Sequence, residues 1–291
     1  MVQTAFLPET HAEGGALMAK KYEELTFTDD FMFCKILELY PEICRELLEL
    51  ILGRRVGKLV SVNRQKPVEI TADGHGVRFD VYAEDGESTI YDVEMQNGRA
   101  DSIPKRSRYA QGMIDLNMIE RGAKYSELNR SYVIYICRFN LFPDIGFHKY
   151  SFLNLCREDP RIELGDETEK IYLCAAGSAD DVSENMKAFL GFVATGIPED
   201  SFTNNLHSVV EEAKYHKRWR QEYMTLLEHY ELEREEGRKE GLEEGLKKGR
   251  KEGVIETLKL LVKDGVLTIE DAAARAGMTE DAFRKKMNDK T

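Results

Sequence analysis

Across residues 77–96 apolar and polar positions alternate with a period of two, broken once by Asp85-Gly-Glu-Ser88. That pattern predicts a β-hairpin with a short turn. Val77, Phe79, Val81 and Ala83 share one face of the first strand, which leaves Arg78, Asp80, Tyr82 and Glu84 on the other. In the second strand Thr89, Tyr91, Val93 and Met95 alternate with Ile90, Asp92, Glu94 and Gln96. Asp80, Glu94 and Gln96 therefore converge on one face. Asp92 shares the face of Glu94 but lies nearer the turn, where it is expected to face solvent.

The remaining pattern surrounds this hairpin with helices and further strands. Thr28 or Asp29 caps a helix reaching Leu39, and Pro41 restarts the chain into a second helix over residues 42–52, closed by Gly53. A strand is expected over 56–62. After the hairpin, residues 97 to about 121 predict a helix interrupted early by Pro104, with Tyr109, Met113, Leu116 and Ile119 as its apolar stripe. Residues 131–137 are almost continuously apolar, as in a strand buried on both faces. A strand over 170–175 and a helix over 182–194 complete a mixed α/β unit spanning 21–200. Residues 1–20 show no periodicity and contain Gly14-Gly15, so a disordered tail is expected there.

From residue 201 the character changes. Residues 205–235 predict one long helix with Trp219, Tyr223, Leu226, Leu227 and Tyr230 along one side. Gly237, Gly241, Gly245, Gly249 and Gly253 then recur every fourth residue in a highly charged run, giving a 201–255 segment distinct from what precedes it. In a helix such glycines form a stripe drifting ~40° per step, at a cost of about 0.8–1 kcal/mol each relative to alanine. Two readings stay open: a close-packed helix contact, as in a homo-oligomer, or a flexible, solvated linker. Residues 256–291 predict a small helical module. Thr268 heads a capping box with Asp271 in the acidic position, Gly277 stops that helix, and Thr279 caps another carrying Phe283 and Met287. Residues 273–283 have a helix-turn-helix outline, with Arg284, Lys285 and Lys286 at its end. Protein interaction is favoured over DNA reading for so short a pattern.

Composition narrows the function classes. The net charge of −12 argues against a non-specific nucleic-acid coat, while a nuclease needs only a basic cleft. Arg99, Lys105, Arg106, Arg108, Arg121 and Lys124, set against Asp101, Asp115 and Glu120, make the helix after the hairpin the most basic stretch near the carboxylates. The five cysteines form no CxxC pair and sit mostly in apolar runs, as expected of reduced, buried thiols in a cytoplasmic protein. No apolar run approaches the ~20 residues of a membrane span, so no membrane partner is expected. There is no HExxH, no GxxxxGK[ST] and no GxSxG, which disfavours zincin, ATP-driven and serine-hydrolase chemistry.

The hairpin carries the remaining chemistry. Two carboxylates converging beside a polar side chain make an oxygen-ligand site for a divalent cation. Mg²⁺ is expected, with Mn²⁺ or Ca²⁺ as substitutes. Such a site suits phosphodiester hydrolysis, in which a metal polarises the phosphoryl oxygen and activates a water. Asp80 and Glu94 supply the carboxylates, Gln96 can orient the water, and Arg106 and Arg108 can hold phosphate.

Thirteen residues separate Asp80 from Glu94-Met-Gln96, a spacing similar to the PD-(D/E)xK nuclease signature. Thr28-Asp-Asp-Phe-Met-Phe-Cys-Lys35, Val77-Arg-Phe-Asp-Val-Tyr-Ala83, Tyr91-Asp-Val-Glu-Met-Gln96, Lys105-Arg-Ser-Arg-Tyr109 and Gly122-Ala-Lys-Tyr-Ser-Glu-Leu128 occur in order. Together they resemble the recombination-promoting nuclease (Rpn) group, also labelled PD-(D/E)xK family transposases, over roughly residues 25–200. The resemblance implies an α/β restriction-endonuclease-like core, a mixed sheet flanked by helices, followed here by an all-helical C-terminal extension. It implies a metal-dependent endonuclease acting on DNA, with Asp80 and Glu94 as metal ligands, Gln96 in the place of the usual lysine, and Asp30 as an added acidic ligand from the first helix. Lys105, Arg106 and Arg108 then become nucleic-acid contacts. Phe79 replaces the signature proline, and the uncharged Gln96 can position a water but cannot lend positive charge. A nuclease-fold scaffold that binds DNA without cutting is the alternative, and no residue separates DNA from RNA as substrate.

Overall fold

The computed structural model describes residues 20–68, 77–98, 102–119 and 123–288. The tail expected over 1–20 lies outside them except for Lys20, as do Arg99 and Arg121 of the basic stretch. Two compact units divide the chain, one closing at Thr225 and the other beginning at Leu226.

The first unit is built on a six-stranded mixed sheet of order β1-β2-β3-β4-β6-β5. β1 (Leu59–Val68), β2 (Val77–Asp85) and β3 (Ile90–Gln96) run antiparallel in succession. β3, β4 (Ser131–Cys137) and β6 (Thr168–Cys174) are parallel, and β5 (Lys149–Phe152) closes the edge antiparallel to β6. β1 begins three residues later than expected and extends through Val68, because its partner is the whole length of β2. β5 had no sequence signal: four residues with one buried side chain carry no readable alternation. All seven residues of β4 are buried, as its apolar run predicts.

The hairpin turn is fixed by Asp85. Its buried carboxylate accepts hydrogen bonds from the Glu87 and Thr89 amides and from the Tyr91 hydroxyl. It thereby satisfies donors that the turn leaves without ladder partners.

One face of the sheet, with Tyr82, Ile90, Val133, Tyr135, Cys137, Tyr172 and Cys174, is covered by Ile103, Ala110, Met113 and Ile114 of α3 (Ile103–Met118). The other face, with Ala83, Tyr91, Val93, Ile134, Ile136, Ile171 and Leu173, is buried too. α1 (Asp30–Leu39) lies on β1 and β2, and α2 (Pro41–Leu52), α4 (Glu184–Thr195) and α5 (Ser201–Lys214) pack around it. Gly53 ends α2 at φ 66°, a left-handed position that suits glycine. Four of the five free thiols are buried and Cys156 is half-buried.

Two helical expectations change. α3 starts at Ile103 rather than near 97, and Pro104 sits in its first turn, where a missing N–H costs nothing. Its buried stripe is Ile103, Ala110, Met113 and Ile114 together with Ser107 and Gln111, while Tyr109 and Leu116 are exposed. Ser107 and the Gln111 amide nitrogen find hydroxyl partners on the sheet in Tyr172 and Ser131, while Gln111 Oε1 has no partner among the described residues. The long helix expected over 205–235 is two helices, α5 and α6 (Lys217–Lys263), parted at Tyr215-His216. α5 buries Phe202, Leu206, Val209 and Val210; α6 must restart in a new phase to bury Trp219 and Tyr223. There buried Lys35 pairs with Glu222, and the Tyr223 hydroxyl donates to the Lys20 carbonyl at 2.8 Å.

In the second unit α6 runs on through the glycine repeat as continuous helix. Apart from the adjoining residues and backbone of the helix itself, no described atom lies within 4 Å of where a β-carbon would stand at any of its five glycines. Ile255 and Leu258 at the end of α6 pack with Ala272 and Ala273 of α7 (Ile269–Ala276) around Phe283 of α8 (Glu280–Asn288). Thr268 caps α7 through the Asp271 amide at 3.1 Å, and Thr279 caps α8 through the Ala282 amide.

Candidate functional site

β2 and β3 are paired only from Glu84–Ile90 to Val81–Val93. Beyond that pair β2 continues against β1 and β3 continues against β4, so the two strands part like a fork. Asp80 and Glu94 are the first residues past the last pair and face each other across the opening. Splitting a ladder frees backbone amides, and here the two carboxylates take them. The Asp80 amide donates to Glu94 Oε1 at 3.0 Å, and the Met95 amide donates to Asp80 Oδ2 at 3.2 Å. Each carboxylate is thus fixed by the strand opposite its own.

α1 delivers a second pair of groups. Asp30 and Cys34 are four residues apart and so lie on one side of the helix. Their ligand atoms and that of Asp80 fall within 4.8 Å of one another. The Cys34 thiol donates to Asp30 Oδ1 at 3.5 Å. Burial, then Asp30 and Asp80, push this thiol well above its usual range, so it stays protonated.

Asp92 overturns an expectation. It is 0 % exposed rather than solvent-facing, because α3 lies over that face of β3. Among the described residues neither of its oxygens has a partner other than the Glu94 carboxyl, with which it shares a proton, and Arg106 lies near enough to offset part of its charge. Burial, then Glu94 and Asp80, hold Asp92 well above the ordinary carboxylate range. Burial, then Glu94 and Asp30, do the same to Asp80, offset in part by the Met95 amide and Arg78. Glu94 is raised by burial as well, against the pull of the Asp80 amide, Arg106 and Asp92.

An open cleft of about 310 Å³ meets this cluster at Glu94 and is lined by Arg78, Lys105, Arg106, Tyr109, Ala110 and Tyr135. Lys105 and Arg106, singled out from the sequence, are in its wall. Arg108 is exposed and absent from the lining, being turned about 200° from Arg106 around the helix. Gln96 is half-buried two residues beyond Glu94 on the same face, and no hydrogen bond engages its amide among the described residues. Three neighbours of the site were not singled out: Cys34, Asp92 and Arg78. The signals were available, since Cys34 is one helical turn from Asp30, and Arg78 and Asp92 stand two residues from Asp80 and Glu94 on the same strand faces.

The donor set fits a divalent cation. Asp30, Asp80 and Glu94 offer the hard oxygens that divalent cations of this kind prefer, and Arg78 and Arg106 offset only part of the repulsion among the clustered carboxyls. This has a consequence for stability. A carboxyl whose folded pKa is raised stabilises the fold fully below the unfolded value, about 4, and loses that contribution as pH rises through the folded value. The melting temperature of the metal-free protein should therefore fall as pH rises from 5 to 8. A divalent cation held by these oxygens would take the deprotonated form, so its stabilising effect should be larger at pH 8 than at pH 6. At about a hundredfold excess over Kd that effect is about 2.7 kcal/mol, or roughly 5–10 °C for a domain of this size. Differential scanning fluorimetry in both buffers measures it; a metal-induced shift that does not depend on pH contradicts the linkage.

A family model described as PD-(D/E)XK nuclease family transposase matches residues 28–176, just over half of the chain. Neither a search of curated proteins nor a search of solved structures finds a match. The matched stretch contains Asp30, Asp80, Glu94, Gln96 and the basic start of α3.

Proposed function

The chain belongs to the PD-(D/E)XK nuclease family transposases, and from that premise we propose that it is a metal-dependent endonuclease hydrolysing DNA phosphodiester bonds in a recombination or mobile-element setting. The observation that carries this reading is the fork: Asp80 and Glu94 locked face to face beside a cleft walled by Arg78, Lys105 and Arg106. Asp80, Glu94 and Asp30 are the ligands for Mg²⁺, with Mn²⁺ or Ca²⁺ as substitutes. A cation bound there supplies Lewis-acid polarisation of the phosphoryl oxygen and an acidified water. Lys105 and Arg106 grip the phosphates and oppose the charge that develops on them; Arg108 contacts the nucleic-acid backbone outside the cleft. Gln96 orients the water. The positive charge that a lysine carries in its place is supplied from the cleft wall by Arg78 and Arg106.

Incubation of supercoiled plasmid with the full chain tests this reading: nicked and linear products are expected with Mg²⁺ and not with EDTA. No cutting of DNA under Mg²⁺ or Mn²⁺ sinks it, and cutting of RNA alone reassigns the substrate. The uncharged Gln96 favours one further reading, a nuclease-fold scaffold that binds DNA without cutting. It predicts DNA binding with no Asp80-dependent Mg²⁺ or Mn²⁺ uptake. In either case the glycine stripe of α6 serves as the contact of a homo-oligomer, since five glycines at about 0.8–1 kcal/mol each need compensation. Sedimentation of the full chain as a monomer refutes that contact.

A further inference from the structure

We propose that Tyr109 is a base-stacking residue: its ring takes an unpaired nucleobase of the substrate into the cleft beside Glu94, so that the site prefers DNA that is single-stranded or locally unpaired over intact duplex. The inference rests on the nuclease reading of the same cleft and adds the class of substrate. Tyr109 is 44 % exposed and stands in the cleft wall with Lys105 and Arg106.

The apolar stripe read from the sequence includes Tyr109, but the fold keeps it out of the core. Ser107, Ala110 and Gln111 take the buried positions of that part of α3, and the phenol ring is left at the cleft. A single exposed tyrosine is ordinary; this one stands among groups that suit a nucleotide. Lys105 lies one helical turn before it, about 5–6 Å away between β-carbons, and Arg106 flanks it three residues back on the same side of the helix. Ala110 and the buried Tyr135 give the cleft apolar surface. A nucleotide has the matching layout, an anionic phosphate at one end and a flat ring at the other. The cleft volume of about 310 Å³ is at the lower end of the range for small-molecule pockets, about 300–1,000 Å³, which is room for one nucleotide and not for a duplex.

In an intact duplex the bases stack on one another, so a protein meets phosphates, sugars and base edges but no base face. Phosphates call for cations, which Arg78, Lys105 and Arg106 supply; they leave an aromatic ring in the same wall without a use. An unpaired base offers a π-face on which a tyrosine can stack whatever the base is. Drawing a base out of a duplex costs the pairing and stacking it gives up, and that cost is least where the base is already unpaired. One tyrosine returns only part of it, so the preference falls on strands that are open beforehand. With its base on Tyr109, the nucleotide has its phosphate within reach of Lys105 and Arg106 and beside Glu94.

The test is binding of the full chain, carrying Asp80→Asn to stop cutting, to a single-stranded oligonucleotide and to its duplex, followed by fluorescence anisotropy. The single strand is expected to bind more tightly. Adding Tyr109→Ala should lower single-strand affinity about tenfold or more and duplex affinity by less; Tyr109→Phe, which keeps the ring, should retain the single-strand affinity. A fluorescent purine analogue in the single strand gives a second readout: stacking on Tyr109 quenches it, and Tyr109→Ala abolishes the quenching. Single-strand affinity and quenching that survive Tyr109→Ala, or an equal loss of affinity for both forms of DNA, overturn the inference. The nuclease reading is decided separately, by plasmid cleavage with the unsubstituted chain. No DNA bound in either form overturns both.

Discussion

Asp80→Asn and Glu94→Gln are each expected to lower the proposed metal-dependent cleavage by about 10³-fold or more, equivalent to about 4 kcal/mol of lost transition-state stabilisation. These substitutions are chosen over alanine because of the fork. Glu94 Oε1 accepts the Asp80 amide and Asp80 Oδ2 accepts the Met95 amide, and an amide side chain retains an acceptor oxygen for each. The strands therefore stay held, and only the ligand charge is lost. The same substitutions remove a buried, mutually repelling carboxyl, so the metal-free variants should melt no lower than wild type and lose the metal-induced rise in melting temperature. Activity and melting are read on one preparation. Cleavage that survives both changes assigns the chemistry elsewhere, and a variant that is inactive because it melts early shows a structural role instead.

Phe283→Ala is expected to unfold the module at the C-terminus. Phe283 is fully buried among Ile255, Leu258, Ala272 and Ala273. Removing a buried phenyl ring costs about 3–5 kcal/mol. A module of this length has only about 2–6 kcal/mol in total, at about 0.05–0.15 kcal/mol per residue, so the loss consumes most or all of its stability. Hydrogen exchange followed by mass spectrometry should show protection collapsing across α7 and α8. A control, Thr268→Ala, removes the α7 cap and costs only about 1 kcal/mol, leaving most of that protection in place. If α7 and α8 remain protected in Phe283→Ala, the packing around that ring is not what holds them.

Much of the fold was legible because its signals are local. Alternation over residues 77–96 gave the hairpin and put Asp80 and Glu94 on one face. The unbroken apolar run of β4 announced a strand buried on both sides. Gly53, Thr268 and Gly277 marked helix ends because caps depend on the neighbouring residues alone. Asp29 does stand at the N-cap of α1, with Asp30 one turn before Cys34, but neither Thr28 nor Asp29 makes the expected capping bond: the Asp29 carboxylate turns back to Thr26 and Lys20 instead.

What failed depends on partners distant in sequence. The phase of α3 was misread because Ser107 and Gln111 look like surface residues until Tyr172 and Ser131 arrive from β6 and β4 to bond them. The break at Tyr215-His216 exists because α5 and the start of α6 bury differently phased faces. β5 is too short to carry a pattern and is held by its pairing to β6.

The sequence by itself determined the hairpin, its two facing carboxylates, the basic helix start and the helical tail, since each is written in spacing of two, three or four residues. Only the tertiary structure decided that the hairpin opens into a fork, because β2 and β3 part where β1 and β4 claim their backbones. The same folding brought Asp30 from α1 to Asp80, and laid α3 over Asp92, turning what alternation reads as an exposed carboxylate into a buried one.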